Sequence, residues 1–171
     1  MIYDNHTIII LALNNHKITL SNLEYLRRYN LDCKILLFDN GSTPSYERTM
    51  TDMNIDYYRE KENILVNPAW NKIFDMIKTN YITLLNNDCF IISKNYFRQV
   101  IDHMDKNNII LSSCKTFNLK ELTELKLKLY EKYYNFIQGN KLKYFSNARR
   151  QGWIMTINLI VYKSLNGGVQ I

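Results

Sequence analysis

Three short, nearly unbroken apolar runs constrain this chain most: Thr7–Leu13, Lys34–Phe38 and Tyr81–Leu85, each stopping at a cluster of Asn, Asp or Gly. Apolar residues at consecutive positions, rather than alternating ones, mark strands covered on both faces. Between these runs lie stretches with helical spacing. Leu20–Tyr29 is apolar at Leu20, Leu23 and Leu26, and Pro68–Lys78 carries Pro in its first turn and Ala69, Ile73 and Ile77 on one face. Pro44–Met53 and Ser93–Met104 also read as helices, Asp56–Arg59 as a short edge strand and Ile109–Ser112 as a further strand. The pattern predicts an α/β fold with a mixed, mostly parallel sheet and helices on both faces. Ligands of such sheets bind beyond the carboxyl ends of the strands. The loops at Asn14–Asn15, Asp39–Ser42 and Asn86–Asp88 all fall there, so chemistry is expected in them.

At 171 residues the chain is expected to form one domain with a real core, and 46% hydrophobic with 22% charged residues suits an ordinary soluble protein. The N-terminal apolar run, Ile8–Leu13, is too short to cross a membrane and lacks the basic flank of a signal peptide. Cys33, Cys89 and Cys114 form neither a close pair nor a metal-ligand spacing, which suits a reducing compartment. The expected location is therefore cytoplasmic. Nine basic residues between Lys115 and Arg150 stand against three Glu, an excess equal to the net charge of +6. Such a stretch attracts anions, although the solvated face of a helix is the plainer reading. No recognised nucleic-acid motif accompanies it, and no nucleic-acid partner is expected.

After Ser113 the pattern changes. Leu122, Leu125, Leu129, Tyr133 and Phe136 form one helical stripe, with Leu127, Tyr130, Tyr134 and Ile137 beside it, and Gly139–Asn140 ends the segment. Gly152–Tyr162 then reads as another buried strand ahead of Gly167–Gly168.

The segments TIIILALNN, LLFDNGST, NILVNPAWN and LLNND, in that order, resemble motifs of family 2 glycosyltransferases of the GT-A fold. TIIILALNN resembles the family's first strand, and LLFDNGST its strand and turn commonly written VVDNGSTD. NILVNPAWN places Asn63 and Asn71 eight residues apart, like the pair that brackets the family's donor-side loop and helix. LLNND, with Asn86 fifteen residues after Asn71, resembles the strand that ends in the DXD-type metal motif. Gly152, followed by Gly167–Gly168, more weakly resembles the strand running to a GGFDE-like turn. The resemblance spans nearly the whole chain. It implies a single domain over 1–171, with 1–113 binding a nucleotide-sugar and 114–171 supplying a basic helix and strand of an acceptor-side part, expected to be incomplete.

The same residues suit that chemistry physically. Asp39 at a strand end can accept a hydrogen bond from a base N–H, which the resemblance makes uracil; the alternative is a turn-starting Asp bonding its own backbone. Gly41 suits a positive φ. Ala12, Leu13, Asn14, Asn40, Asn63, Asn71, Asn86 and Asn87 complete the expected donor-binding set, with Asn86 placed against the ribose. Asp88 is the metal candidate, because Mn²⁺ and Mg²⁺ prefer oxygen ligands and would neutralise a leaving diphosphate. The family often has two acidic residues here, so one carboxylate among asparagines implies weaker metal binding. Trp153 is a candidate for stacking on a sugar, and Arg149 and Arg150 for the diphosphate, against the plainer readings of a core indole and solvated arginines. His6, His16 and His103 receive no role.

The family usually places a catalytic Asp or Glu after the GG turn as general base. No acidic residue follows Glu131 here, so the catalytic residue is unknown. The resemblance thus implies a transferase from a nucleotide-sugar, UDP-linked and inverting, to an unidentified glycan or protein acceptor. Its alternative is a donor-binding module without turnover. A lesser alternative comes from Asn67-Pro68-Ala69-Trp70, which resembles the Asn-Pro-Pro-Trp motif of amino-methyltransferases, but the 28 residues from Asp39 are too few for that family.

Overall fold

The structure is a computed structural model and describes residues 5–29, 33–53, 55–91, 95–113 and 154–160. Strand β1 (His6–Ala12) leads into helix α1 (His16–Tyr29), β2 (Lys34–Asp39), α2 (Glu47–Met53), β3 (Asp56–Arg59) and α3 (Val66–Met76). Then come β4 (Tyr81–Asn86), α4 (Tyr96–Lys106), β5 (Leu111–Ser112) and β6 (Ile154–Asn158). The sheet order is β3-β2-β1-β4-β6-β5. The first four strands are parallel, while β6 runs antiparallel to β4 and β5 antiparallel to β6.

The apolar runs become the central strands because both their faces are covered. Ile8, Ile10 and Ala12 of β1 pack with Leu23 and Leu26 of α1, Met50 of α2 and Phe97 of α4. Ile9, between them, points to the other face and meets Ala69, Trp70, Ile73 and Phe74 of α3. Ile8, Ile9 and Ile10 are all fully buried, each worth roughly 1.5–3 kcal/mol against the exposed state. Successive side chains pointing to opposite faces, each with a helix on it, account for an unbroken apolar run where one-sided strands alternate.

The chain builds β1, β2 and β3 outward in one direction and then returns to place β4 on the other side of β1. That reversal falls between β1 and β4, and in such sheets ligands usually bind beyond the strand C-ends at this position.

Helix starts differ most from expectation. Helix α1 begins at His16, four residues before Leu20, because Asn14 and Asn15 both adopt φ 53 and reverse the chain within three residues. The Thr19 N–H then donates to the Asn15 carbonyl. Helix α2 begins at Glu47 rather than Pro44, since residues 42–46 wrap around the end of β1 instead. Helix α3 begins at Val66, which puts Pro68 at its third position, where an amide proton would have no helical partner anyway. The last strand is shorter than expected: Leu159 and Ile160 after β6 are already helical, and residues 152, 153, 161 and 162 lie outside the described residues.

Candidate functional site: the turns at the ends of β1, β2 and β4

Parallel register sets Ala12 beside Asp39 and Leu11 beside Asn86, so three strands end side by side. The Asn40 N–H donates to the Ala12 carbonyl at 2.8 Å and continues the β1–β2 pairing into the turn.

Asp39 is fully buried and closes the β2 end. Its Oδ1 accepts from the Ser42 N–H at 2.8 Å. Its Oδ2 accepts from the Tyr57 hydroxyl at 2.7 Å and lies 3.4 Å from Arg59 Nε. Arg59 also donates from Nη2 to the Ser42 carbonyl at 3.0 Å. These are the contacts of the turn-forming alternative, and each carboxylate oxygen keeps a further lone pair beside them. Burial, with the bond and the charge at Asp39, pushes the Tyr57 hydroxyl pKa well up and keeps it a donor.

The turn then passes close to the chain ahead of α3. Gly41 has φ +86, and a Cβ there would stand 2.5 Å from the Glu62 carbonyl carbon, so only glycine fits. Asn40 fastens the approach: Nδ2 donates to Asn63 Oδ1 at 3.0 Å and to the Leu65 carbonyl at 3.3 Å, and Oδ1 accepts from the Ile64 N–H at 3.1 Å. Asn63 Oδ1 also accepts from the Leu65 N–H at 2.9 Å. Leu65, held from both sides, sits at φ 70 and ψ 172, a region open almost only to glycine, with its side chain 67% exposed.

Asn14 joins the β1 and β2 ends. Its N–H donates to Ser42 Oγ at 2.8 Å, its Oδ1 accepts from the Thr43 N–H at 3.0 Å, and its carbonyl accepts from the Tyr46 hydroxyl. That hydroxyl lies 3.1 Å from Thr19 Oγ1, which also accepts from Asn87 Nδ2 at 3.0 Å. One chain of contacts thus links all three turns through Thr19 and Tyr46, both buried. His16 stacks on Tyr46, with 4.1 Å between ring centroids, and braces the same corner.

At the end of β4, Asn86 and Asn87 are half-buried and Asp88 is exposed. Among the described residues no group of three or more His, Cys, Asp or Glu could hold a metal ion. One exposed carboxylate fits an ion that arrives with a diphosphate and keeps several waters, as Mg²⁺ does, and does not fit a preformed metal cage.

The structure therefore brings together Ala12, Leu13, Asn14, Asp39, Asn40, Gly41, Asn63, Asn86, Asn87 and Asp88 on the loops at one end of the sheet. Asn71 is half-buried within α3. Arg149, Arg150 and Trp153 lie outside the described residues, as do the basic stretch, the 122–137 stripe and Gly167–Gly168. Sequence reasoning missed Thr19, Asn22, Tyr46, Tyr57 and Arg59, and gave Ser42 no role of its own within its turn. For two of these a signal exists. Thr19, Asn22, Leu23 and Leu26 follow the i, i+3, i+4, i+7 spacing of a buried helical face, so polar residues share an apolar stripe.

An α/β sheet whose polar turns converge at a strand-order reversal has the usual layout of a ligand-binding domain. The chain belongs to glycosyl transferase family 2, whose sequence profile matches residues 7–161. No curated protein matches the chain in sequence. Among solved structures, the mannosyltransferase PcManGT from Pyrobaculum calidifontis, in complex with GDP-Man and Mn²⁺, superposes with a TM-score of 0.69 at 13% identity. That match covers 94% of this chain and 46% of the other. S. aureus TarS 1-349 matches with a TM-score of 0.64 at 10% identity, over 95% of this chain and 49% of its own. Its complex with UDP matches over the same shares with a TM-score of 0.63 at 10% identity. The chain thus spans about half the length of these GT-A structures.

Proposed function

We propose that the chain transfers a sugar from a nucleoside-diphosphate donor, UDP-linked, to an acceptor hydroxyl, with inversion and with Mn²⁺ or Mg²⁺ on Asp88. The observation that carries this reading is the convergence of the Asn14, Asp39–Ser42 and Asn86–Asp88 turns, with an exposed carboxylate on the last. Membership of glycosyl transferase family 2 supports it, as do the GDP-Man, UDP and Mn²⁺ of the similar structures. The base and ribose would lie along Ala12–Asn14 and the Asn40–Gly41 turn, with Asn63, Asn71, Asn86 and Asn87 supplying amides around them. Asp39 would shape this slot from behind, through Ser42 and Arg59. Arg149, Arg150 and Trp153 remain candidates for the diphosphate and the sugar.

In the transfer, the bond from the anomeric carbon to the diphosphate oxygen breaks and its electron pair leaves with the diphosphate. The acceptor oxygen bonds to the same carbon from the opposite face and gives its proton to a base. The metal, when bound, offsets charge growing on the leaving group.

Incubation with UDP- and GDP-sugars in Mn²⁺, followed by an assay for released nucleoside diphosphate, tests the reading. Release that depends on both donor and metal is expected. Donor binding without any release, even with glycan and protein acceptors added, would identify a non-transferring module instead.

A further inference from the structure

Resting on the reading of Asp88 as the metal carboxylate, we propose that Asn22 is the positioning residue that holds the β4–α4 turn in its ion-binding shape. Asn22 lies on α1, more than sixty residues from that turn, and is fully buried. Its Nδ2 points at three carbonyls of the turn: Cys89 at 3.1 Å, Asn87 at 3.2 Å and Asn86 at 3.5 Å. An amide has two protons, so the three acceptors share them. The opposite amide orientation would set an oxygen against three carbonyl oxygens, so the contacts themselves fix which atom is nitrogen.

Asn22 Oδ1, by contrast, is buried and has no hydrogen-bond partner among the described residues. A buried unpaired acceptor is costly, so the residue is kept for its donor side. Its reach is selective. Asp88 is the one residue between Asn86 and Cys89 whose carbonyl Asn22 does not take, and it is the one whose side chain is exposed. Thr19, one helical turn earlier, secures Asn87 from the same face of α1. Asp88 is thus presented between two residues whose carbonyls are tied to a buried amide. Partners behind a metal ligand fix its orientation, and their loss typically weakens metal binding roughly 10–100-fold.

Calorimetric titration separates positioning from general stability. Binding of uridine without metal, and of Mn²⁺ in the presence of UDP, would be compared in the full chain and in Asn22→Leu, with Asn22→Ser as the second variant should Leu prevent folding. The expected result is a rise in the Mn²⁺ dissociation constant of roughly 10-fold or more, with a smaller loss of uridine affinity through Asn86 and Asn87. Unaltered Mn²⁺ affinity in a folded variant, or an equal loss for uridine and Mn²⁺, overturns the positioning role and leaves the donor site standing. Failure of the unsubstituted chain to bind Mn²⁺ with UDP overturns the function and this inference together.

Discussion

Gly41 shows how one residue makes the candidate site possible. At φ +86, beside the Glu62 carbonyl carbon, it lets the β2 turn touch the segment that leads into α3. Gly41→Ala should cost at least about 2 kcal/mol through the left-handed backbone alone, and more through the clash. A lower thermal midpoint would record it, and an unchanged midpoint would mean that the two segments separate freely. Leu65 is the mirror case, a branched residue where glycine belongs. Leu65→Gly should raise the midpoint by the equivalent of about 1 kcal/mol, since relief of roughly 1–3 kcal/mol of strain exceeds the entropy cost of glycine. A fall would mean that its 67% exposed side chain makes a contact worth more than the strain. Tyr57→Phe removes a bond to the buried Asp39 carboxylate and should destabilise by about 1.5–3 kcal/mol, read from denaturant unfolding.

Legibility differs between elements for physical reasons. The bounds of β1, β2 and β4 follow the apolar runs to within a residue, because strands buried on both faces are mostly apolar and polar residues such as Thr83 are too few to interrupt the run. Helix starts were less legible. The first turn of α1 is polar, so apolar spacing found the helix only from Leu20. The loop motifs mark where a ligand is expected, yet not which contacts the side chains there make within the fold, as at Asp39. Its partners Tyr57 and Arg59 stand on β3, and their pairing with the β2 turn depends on strand order, which no local pattern carries. Strand β1 also holds a testable pH dependence. His6 is buried, donates or accepts at 2.8 Å with Thr83, and has its pKa pushed down to about 4 by burial. Its folded pKa lies below the unfolded value, so between them the unfolded chain binds the extra proton. Its contribution is complete above about pH 6.5 and disappears as pH falls towards about 4, up to roughly 3 kcal/mol. Urea unfolding at pH 7 and pH 4.5 should show the loss, and His6→Gln should flatten it. An equal loss in the variant would place the effect on other groups.

At the scale of the molecule, a reversal in strand order sets three polar turns at one end of the sheet, and α1 ties them together through Thr19 and Asn22. None of the described helices is long and apolar enough to cross a membrane. The central claim is that these turns bind a nucleoside diphosphate with a divalent ion on Asp88. Thermal melting with UDP, with and without Mn²⁺, in the chain and in Asp88→Ala, tests it most directly. A ligand at about 100 times its dissociation constant adds about 2.7 kcal/mol, or roughly 5–10 °C in a chain of this size. The predicted result is a rise of that order with UDP and Mn²⁺, lost in Asp88→Ala. No response to UDP or GDP with Mn²⁺, or stabilisation by S-adenosylmethionine instead, would contradict it.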